Sequence, residues 1–271
     1  MSEYSMEASI LPVQAGQREA NADIAVVIPA YNEERTIREV VERCLLQVEK
    51  VIVVDDGSSD GTVQALAGLP ITLLRHAVNQ GKACSLWDGM QEARRQAVSA
   101  IVTLDGDGQH RPEDIPRLLQ HYRQTPNTIV IGARLHEWEN IPRYRYNAIR
   151  FANFWIGLCA GYAISDSQSG FRIYPANLLD RVAVAHNRAS GFVFESEILI
   201  EAGRAGIVST PIAIPAIYSE QARGSHYRPV SDTWRIVRMV AGKLLAHGFY
   251  QHAAPHGGNE RSPGRSPGNS T

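Results

Sequence analysis

Hydrophobic positions along this chain follow two alternating rhythms. Short runs rich in β-branched residues read as buried strands: Ile24 to Pro29, Val51 to Val54, Ile71 to Leu74, Ile101 to Leu104 and Ile129 to Arg134. Between them the apolar positions recur every three or four residues. Ile37, Val40, Val41, Cys44, Leu45 and Val48 form one such stripe, with Arg38, Glu39, Glu42 and Arg43 on the opposite face. Ala83, Leu86, Trp87, Met90 and Ala93 form a second, and Ile115, Leu118, Leu119 and Tyr122 a third, the last entered through Pro112, Glu113 and Asp114. Pro29 is expected to end the first strand, Asn32 to cap the helix after it, and Val63 to Leu66 to form a short helix. In the second half, Tyr144 to Ala160 reads as an aromatic-rich helix and Asp166 to Tyr174 as a loop returning to a short strand. Phe192 to Leu199 opens another helix, Ile207 to Ile214 is a strand, and a last helix starts near Pro229.

Strands alternating with helices through short loops predict an α/β domain built on a doubly wound, mostly parallel sheet flanked by helices. One domain over residues 22–249 is expected, with 1–21 as a flexible leader and 250–271, rich in Gly, Pro, Ser, Asn and Arg, as a disordered tail. With 271 residues, 44% of them hydrophobic, a sizeable core is available; a net charge of −1 points away from nucleic acid. Cys44, Cys84 and Cys159 are widely spaced and odd in number, which favours buried thiols in a reducing compartment over bridges. The N-terminal stretch lacks the form of a signal peptide, and the nearly uncharged run from Phe151 to Ile164 is too short to span a bilayer. A cytoplasmic protein is expected, with peripheral contact at the inner membrane face left open.

The candidate chemistry sits at strand ends. Ile101 to Leu104 runs into Asp105-Gly106-Asp107-Gly108-Gln109-His110, Val51 to Val54 into Asp55-Asp56-Gly57-Ser58-Ser59-Asp60-Gly61-Thr62, and the first strand into Ala30-Tyr31-Asn32-Glu33-Glu34. An isolated Asp-x-Asp is more often a solvated turn than a metal site. Parallel strands, however, bring their carboxyl ends to one edge, so Glu33, Asp56 and the Asp105/Asp107 pair are expected to converge there. Hard oxygen ligands at such an edge suit Mg²⁺ or Mn²⁺ shared with a phosphate.

These segments, together with Asn79-Gln80-Gly81-Lys82 and Arg111-Pro112-Glu113, resemble the family 2 glycosyltransferases of the GT-A fold. Within that family the chain is most similar to the dolichyl- or polyprenyl-phosphate mannosyltransferases, on the strength of Gln109, of Asp166 to Tyr174, and of Phe194-Glu195-Ser196-Glu197. The resemblance covers roughly residues 24–248. It implies that Pro29, Tyr31, Glu33, Val54, Asp56 and Lys82 bind the nucleotide sugar, as do Asp105, Gly106 and Asp107. It implies that Asp107 and Gln109 hold the divalent metal, and that Asp105, Asp107 and Arg134 serve catalysis. On the acceptor side it points to Arg172, Glu195, Glu197, Ser225 and His226. The basic segment expected after the last strand is altered. Ser219 to Arg228 carries Glu220 and His226 where Arg and Lys are usual, with Arg223 and Arg228 nearby.

The implied activity is metal-dependent, inverting transfer of a hexose (mannose or glucose) from a nucleoside-diphosphate sugar to a polyprenyl phosphate. A hydroxyl acceptor is the alternative and would need a base, for which Asp166, Glu195, Glu197 and His226 are candidates. A sugar-nucleotide-binding protein without turnover is the reading from another class. A nucleotidyltransferase lacks support because Pro29-Ala30-Tyr31-Asn32 stands where a Gly-rich phosphate loop belongs. The last helix, with Trp234, Arg235, Arg238 and Lys243, reads first as an apolar core stripe with a solvated basic face; the alternative is a basic surface helix that, with the helix from Tyr144 to Ala160, docks a polyprenyl chain.

Overall fold

The computed structural model describes residues 18–133, 143–184, 193–215 and 237–242. The chain runs β1 (Ile24–Ala30), α1 (Ile37–Leu45), β2 (Lys50–Asp55), α2 (Thr62–Ala65), β3 (Thr72–Arg75), α3 (Lys82–Arg95) and β4 (Ala100–Thr103). A 3-10 turn (Pro112–Asp114) leads into α4 (Ile115–Gln124), followed by β5 (Ile129–Ala133), α5 (Arg143–Ala160), β6 (Arg172–Pro175), α6 (Val193–Arg204) and β7 (Ser209–Ala213). Residues 237–242 are helical. The remainder of the helix expected to start near Pro229 lies outside the described residues.

The strands form one seven-stranded sheet in the order β3-β2-β1-β4-β6-β5-β7. All neighbours pair parallel except β6, which runs antiparallel to both β4 and β5. Period-2 alternation divides β1 between two cores. Ala25 and Val27 face a layer built with Leu86 and Met90 of α3, Ile156 of α5 and Ile198 of α6. Ile24, Val26, Ile28 and Ala30 face the other layer, with the α1 stripe and Ile115, Leu118, Leu119 and Tyr122 of α4. Both faces are covered, which is why the central strands carry almost no polar residues.

Pro29 lies inside β1, opposite Val54, rather than ending it. Ala30 O accepts from Asp56 N on the β2 side, while Val27 O accepts from Leu104 N on the β4 side. Pro29 shares the parity of Val27, and the β1–β4 register stops at Val27↔Thr103. The missing N–H therefore points past the end of the ladder, where no partner strand needs it. Asn32 does not cap α1. Thr36 is the cap residue, and Asn32 sits at φ 58° with its side-chain oxygen accepting from Ser59 N at 2.8 Å. The bonded structure also reaches into the stretch expected to be a leader: Asn21 is buried and donates to Gln47 O at 2.9 Å.

Arg43 of α1 grips Glu113 at two points, Nε–Oε1 2.8 Å and Nη2–Oε2 2.7 Å, which tethers the 3-10 turn that follows the acidic loop. The hydrogen bond to Arg43 holds the Glu113 carboxyl below the ordinary glutamate range. Both side chains are partly solvated, so Glu113→Gln should cost about 0.5–1 kcal/mol at neutral pH. Because the folded-state value is lowered, the gap between wild type and variant should be full above the unfolded-state value. It should close as pH falls through the folded one, in urea titrations at about pH 7 and about pH 3.

Candidate active site

β1, β2 and β3 are laid down successively in one direction, and the chain then returns to place β4 on the other side of β1. Such a reversal opens a crevice beyond the carboxyl ends of the two central strands. The loops after β1 and β4 meet there: Thr36 Oγ1 donates to Gly106 O at 2.7 Å. The loop after β2 is bound to the loop after β1, since Ser58 Oγ accepts from Asn32 N at 2.9 Å and Thr62 Oγ1 accepts from Glu33 N at 2.8 Å. Glu33, Asp56, Asp105 and Asp107 thus gather at one edge, with half-exposed Tyr31 on its rim.

Their carboxylates do different things. Asp56 is buried; its Oδ1 accepts from His76 Nδ1 (2.7 Å) and Gln80 N (2.8 Å), and its Oδ2 from Gly81 N (2.8 Å). It anchors the segment leading to Lys82, and both of its carboxylate oxygens are engaged there. The other ring nitrogen of His76 contacts Asp88 Oδ2 at 3.1 Å, which ties the anchor to α3. Val54 offers no side-chain surface to a ligand. It is fully buried in the core layer shared with α3.

Lys82 starts α3 and places its ammonium 2.7 Å from Asp105 Oδ1 and 3.2 Å from Glu195 Oε1. Burial disfavours the ammonium, but the charges of Asp105 and Glu195 overcome it and raise the Lys82 pKa above its ordinary range. Burial likewise works against ionised Asp105, and Lys82 reverses that, holding the carboxyl well below the usual range. Asp107 differs. Burial first, and the charge of Asp105 second, push its carboxyl upward, while its Oδ1 accepts from Gln109 N at 2.9 Å. Asp105, Asp107 and Glu195 are three carboxylates around two fixed cations, Lys82 and the buried Arg172, a net negative charge that favours a bound cation. No group of three or more His, Cys, Asp or Glu among the described residues forms a complete metal cage.

Gly170 is set against this centre. A Cβ there would lie 2.8 Å from Asp105 Oδ2, so a larger residue would have to displace the Asp105 carboxylate for the loop after α5 to approach this closely. Gly57, at φ +72°, plays the same part beneath the Asp56 anchor, where a Cβ would sit 2.8 Å from the Val78 carbonyl carbon. His110 is buried, its ring tilted on Phe171 with centroids 5.4 Å apart and its Nε2 3.7 Å from Asp105 Oδ2, too long for a hydrogen bond.

The expected acceptor residues are mostly interior. Arg172 is fully buried and donates to three backbone carbonyls, from Nε to Ser169 O (2.7 Å), from Nη1 to Glu195 O (2.7 Å) and from Nη2 to Ser167 O (2.8 Å). It joins the 166–170 loop to α6 and presents nothing to an acceptor. Asp166 is buried, its Oδ1 accepting from Gln168 N and Ser169 N, and Glu195 and Glu197 are buried on α6. Arg134, Ser225 and His226, with the altered basic segment from Ser219 to Arg228, lie outside the described residues. Sequence reasoning did not find His76, or the pairing of Lys82 with Glu195. Cys44 and Cys159 are buried and Cys84 is half-buried, and none of the three is in a disulfide.

The model of "Glycosyl transferase family 2" matches residues 25–183. An uncharacterised protein of Methanocaldococcus jannaschii is 31% identical over 84% of this chain and 95% of its own length. The UDP-N-acetylglucosamine–dolichyl-phosphate N-acetylglucosaminyltransferase of Methanococcus voltae is 29% identical over 82% of this chain and 98% of its own. Among solved structures, glucosyl-3-phosphoglycerate synthase from Mycobacterium tuberculosis, in complex with Mn²⁺, UDP-glucose and phosphoglyceric acid, superposes with a TM-score of 0.61 at 21% identity, covering 86% of this chain and 82% of that one.

Proposed function

Because the chain belongs to glycosyl transferase family 2 and has the GT-A fold, we propose that this glycosyltransferase moves a hexosyl group, mannose or glucose, from a nucleoside-diphosphate sugar to a polyprenyl phosphate. The donor would lie in the crevice between β1 and β4, its nucleoside near Pro29, Tyr31 and Glu33 and its diphosphate toward Asp107. Asp107 and Gln109 would hold Mg²⁺ or Mn²⁺, and the net negative charge of the carboxylates around Lys82 and Arg172 supports a cation there. When bound, that ion supplies charge neutralisation for the departing diphosphate. Asp105, kept ionised by Lys82, is set to bind and orient the donor rather than to shuttle a proton.

An acceptor phosphate oxygen would form the bond to the anomeric carbon from the face opposite the leaving group. The carbon–oxygen bond to the diphosphate would break with its electron pair, and the configuration would invert. A phosphate acceptor is already anionic and needs no base. The observation that favours this choice over a hydroxyl acceptor is that the three candidate bases among the described residues, Asp166, Glu195 and Glu197, are buried; the fourth, His226, lies outside them. Asp166 and Glu195 are moreover engaged, by backbone N–H groups and by Lys82.

A groove of about 480 Å³ beside α5, lined in part by Tyr146, Arg150, Phe154 and Ile164, suits a lipid-linked acceptor. Exposed Phe151 and Phe154 on the same helix support peripheral membrane contact, and no described helix is long and apolar enough to cross a membrane. The M. voltae relative's name specifies a dolichyl-phosphate acceptor, which agrees with this choice. The test is incubation with labelled UDP- and GDP-sugars and a polyprenyl-phosphate extract. A chloroform-soluble, mild-acid-labile product is expected. A water-soluble or acid-stable product would favour a hydroxyl acceptor, and metal-independent nucleotide binding without turnover would favour a sugar-nucleotide-binding protein.

A further inference from the structure

Glu195 stands on α6, beyond the residues 25–183 that the family model matches, yet its Oε1 reaches to 3.2 Å from Lys82 Nζ. The contacts close a circuit. Arg172 fixes the Glu195 carbonyl and the Ser169 carbonyl, Gly170 abuts Asp105, Asp105 binds Lys82, and Lys82 returns to Glu195. The side chain of Glu195 is only 5% exposed, so its charge is not a solvated one that happens to fall near a lysine.

We propose that Glu195 is a positioning residue of the donor site, acting through Lys82, and not the acceptor-side group its sequence context points to. A buried ammonium shared by two carboxylates is committed wholly to neither. With Glu195 in place, Lys82 is held between the two carboxylates, which leaves Asp105 able to accept from an incoming nucleotide sugar. With Glu195 neutral, Lys82 closes on Asp105 alone, and the donor has to break that pair before it binds. The inference rests on the Asp105 edge being the donor site.

The experiment is a double-mutant cycle on the full chain, read by calorimetric titration with UDP and with GDP, each in the presence of Mn²⁺. Glu195→Gln is close to isosteric and leaves the Arg172 bond to the main-chain carbonyl untouched, so the melting temperature should change little. Nucleotide affinity should fall roughly tenfold, the scale of a disturbed charged hydrogen bond. Glu195→Asp retains the charge with a shorter reach and should recover part of the affinity; it also serves if the glutamine variant does not fold. In a Lys82→Met background the same Glu195 substitutions should cost no affinity, because the residue through which they act is gone. An equal loss in both backgrounds, or no loss in the wild-type background, would overturn the proposal. Wild-type protein that binds neither nucleotide would overturn the donor-site reading itself, and this inference with it.

Discussion

Asp107→Ala is expected to abolish metal-stimulated nucleotide binding and to lower transfer by at least about a hundredfold, while leaving the fold intact. The direction follows from charge. Asp107 is squeezed by burial and by Asp105, so its ionised form is at a disadvantage until a cation arrives. The ion pair of Lys82 is made with Asp105, and Lys82 offsets the push on Asp107 only in part. Its one described hydrogen bond, accepted from Gln109 N, is local to the loop, so deletion leaves the sheet and both cores unchanged. Calorimetric titration with Mn²⁺ and a nucleoside diphosphate, alongside a melting curve, separates a lost ligand from a lost fold. Unchanged affinity would mean that the cation, if any, is held elsewhere.

Arg172→Met is expected to act through the opposite route, on stability. Removing the guanidinium strands the carbonyls of Ser167, Ser169 and Glu195 in a buried setting, at a cost of about 3–5 kcal/mol. For a domain of this size that lowers the melting temperature on the order of 10 °C. Arg172→Lys should rescue little, since a single ammonium lacks the span of the fork that reaches three carbonyls at once. Activity of the surviving folded fraction should also fall, because the same bonds hold the 166–170 loop against Asp105 and set the start of α6. A variant with wild-type stability and lost acceptor affinity would instead return Arg172 to the acceptor side.

Much of the fold was legible because burial on both faces writes itself into composition. The β1, β2 and β4 runs, the α1 stripe and the α4 stripe match the observed elements to within a few residues. The gathering of Glu33, Asp56 and the Asp105/Asp107 pair followed from parallel strands sharing an edge. The direction of β6 was not legible, since a four-residue run carries no sign of its orientation. Nor was the harmless placement of Pro29, which depends on where a neighbouring ladder ends. Asp56 and Arg172 carry the right chemistry for a ligand, and Val54 was implied by resemblance. Whether each faces the crevice or the interior is decided by contacts far away in sequence, such as His76 with Asp56 or Glu195 with Arg172. The Lys82–Glu195 pair belongs to the same class: no local spacing announces it.

The central claim is that acidic loops at the carboxyl ends of β1 and β4 grip a divalent cation beneath a nucleoside diphosphate. A crystal soaked with Mn²⁺ and UDP or GDP, with data collected for the manganese anomalous signal, tests it most directly. The expected result is one anomalous peak bonded to Asp107 and to the diphosphate, with the nucleoside between Tyr31 and Asp105. Nucleotide bound with no manganese at Asp107, or bound away from the β1–β4 crevice, would contradict it.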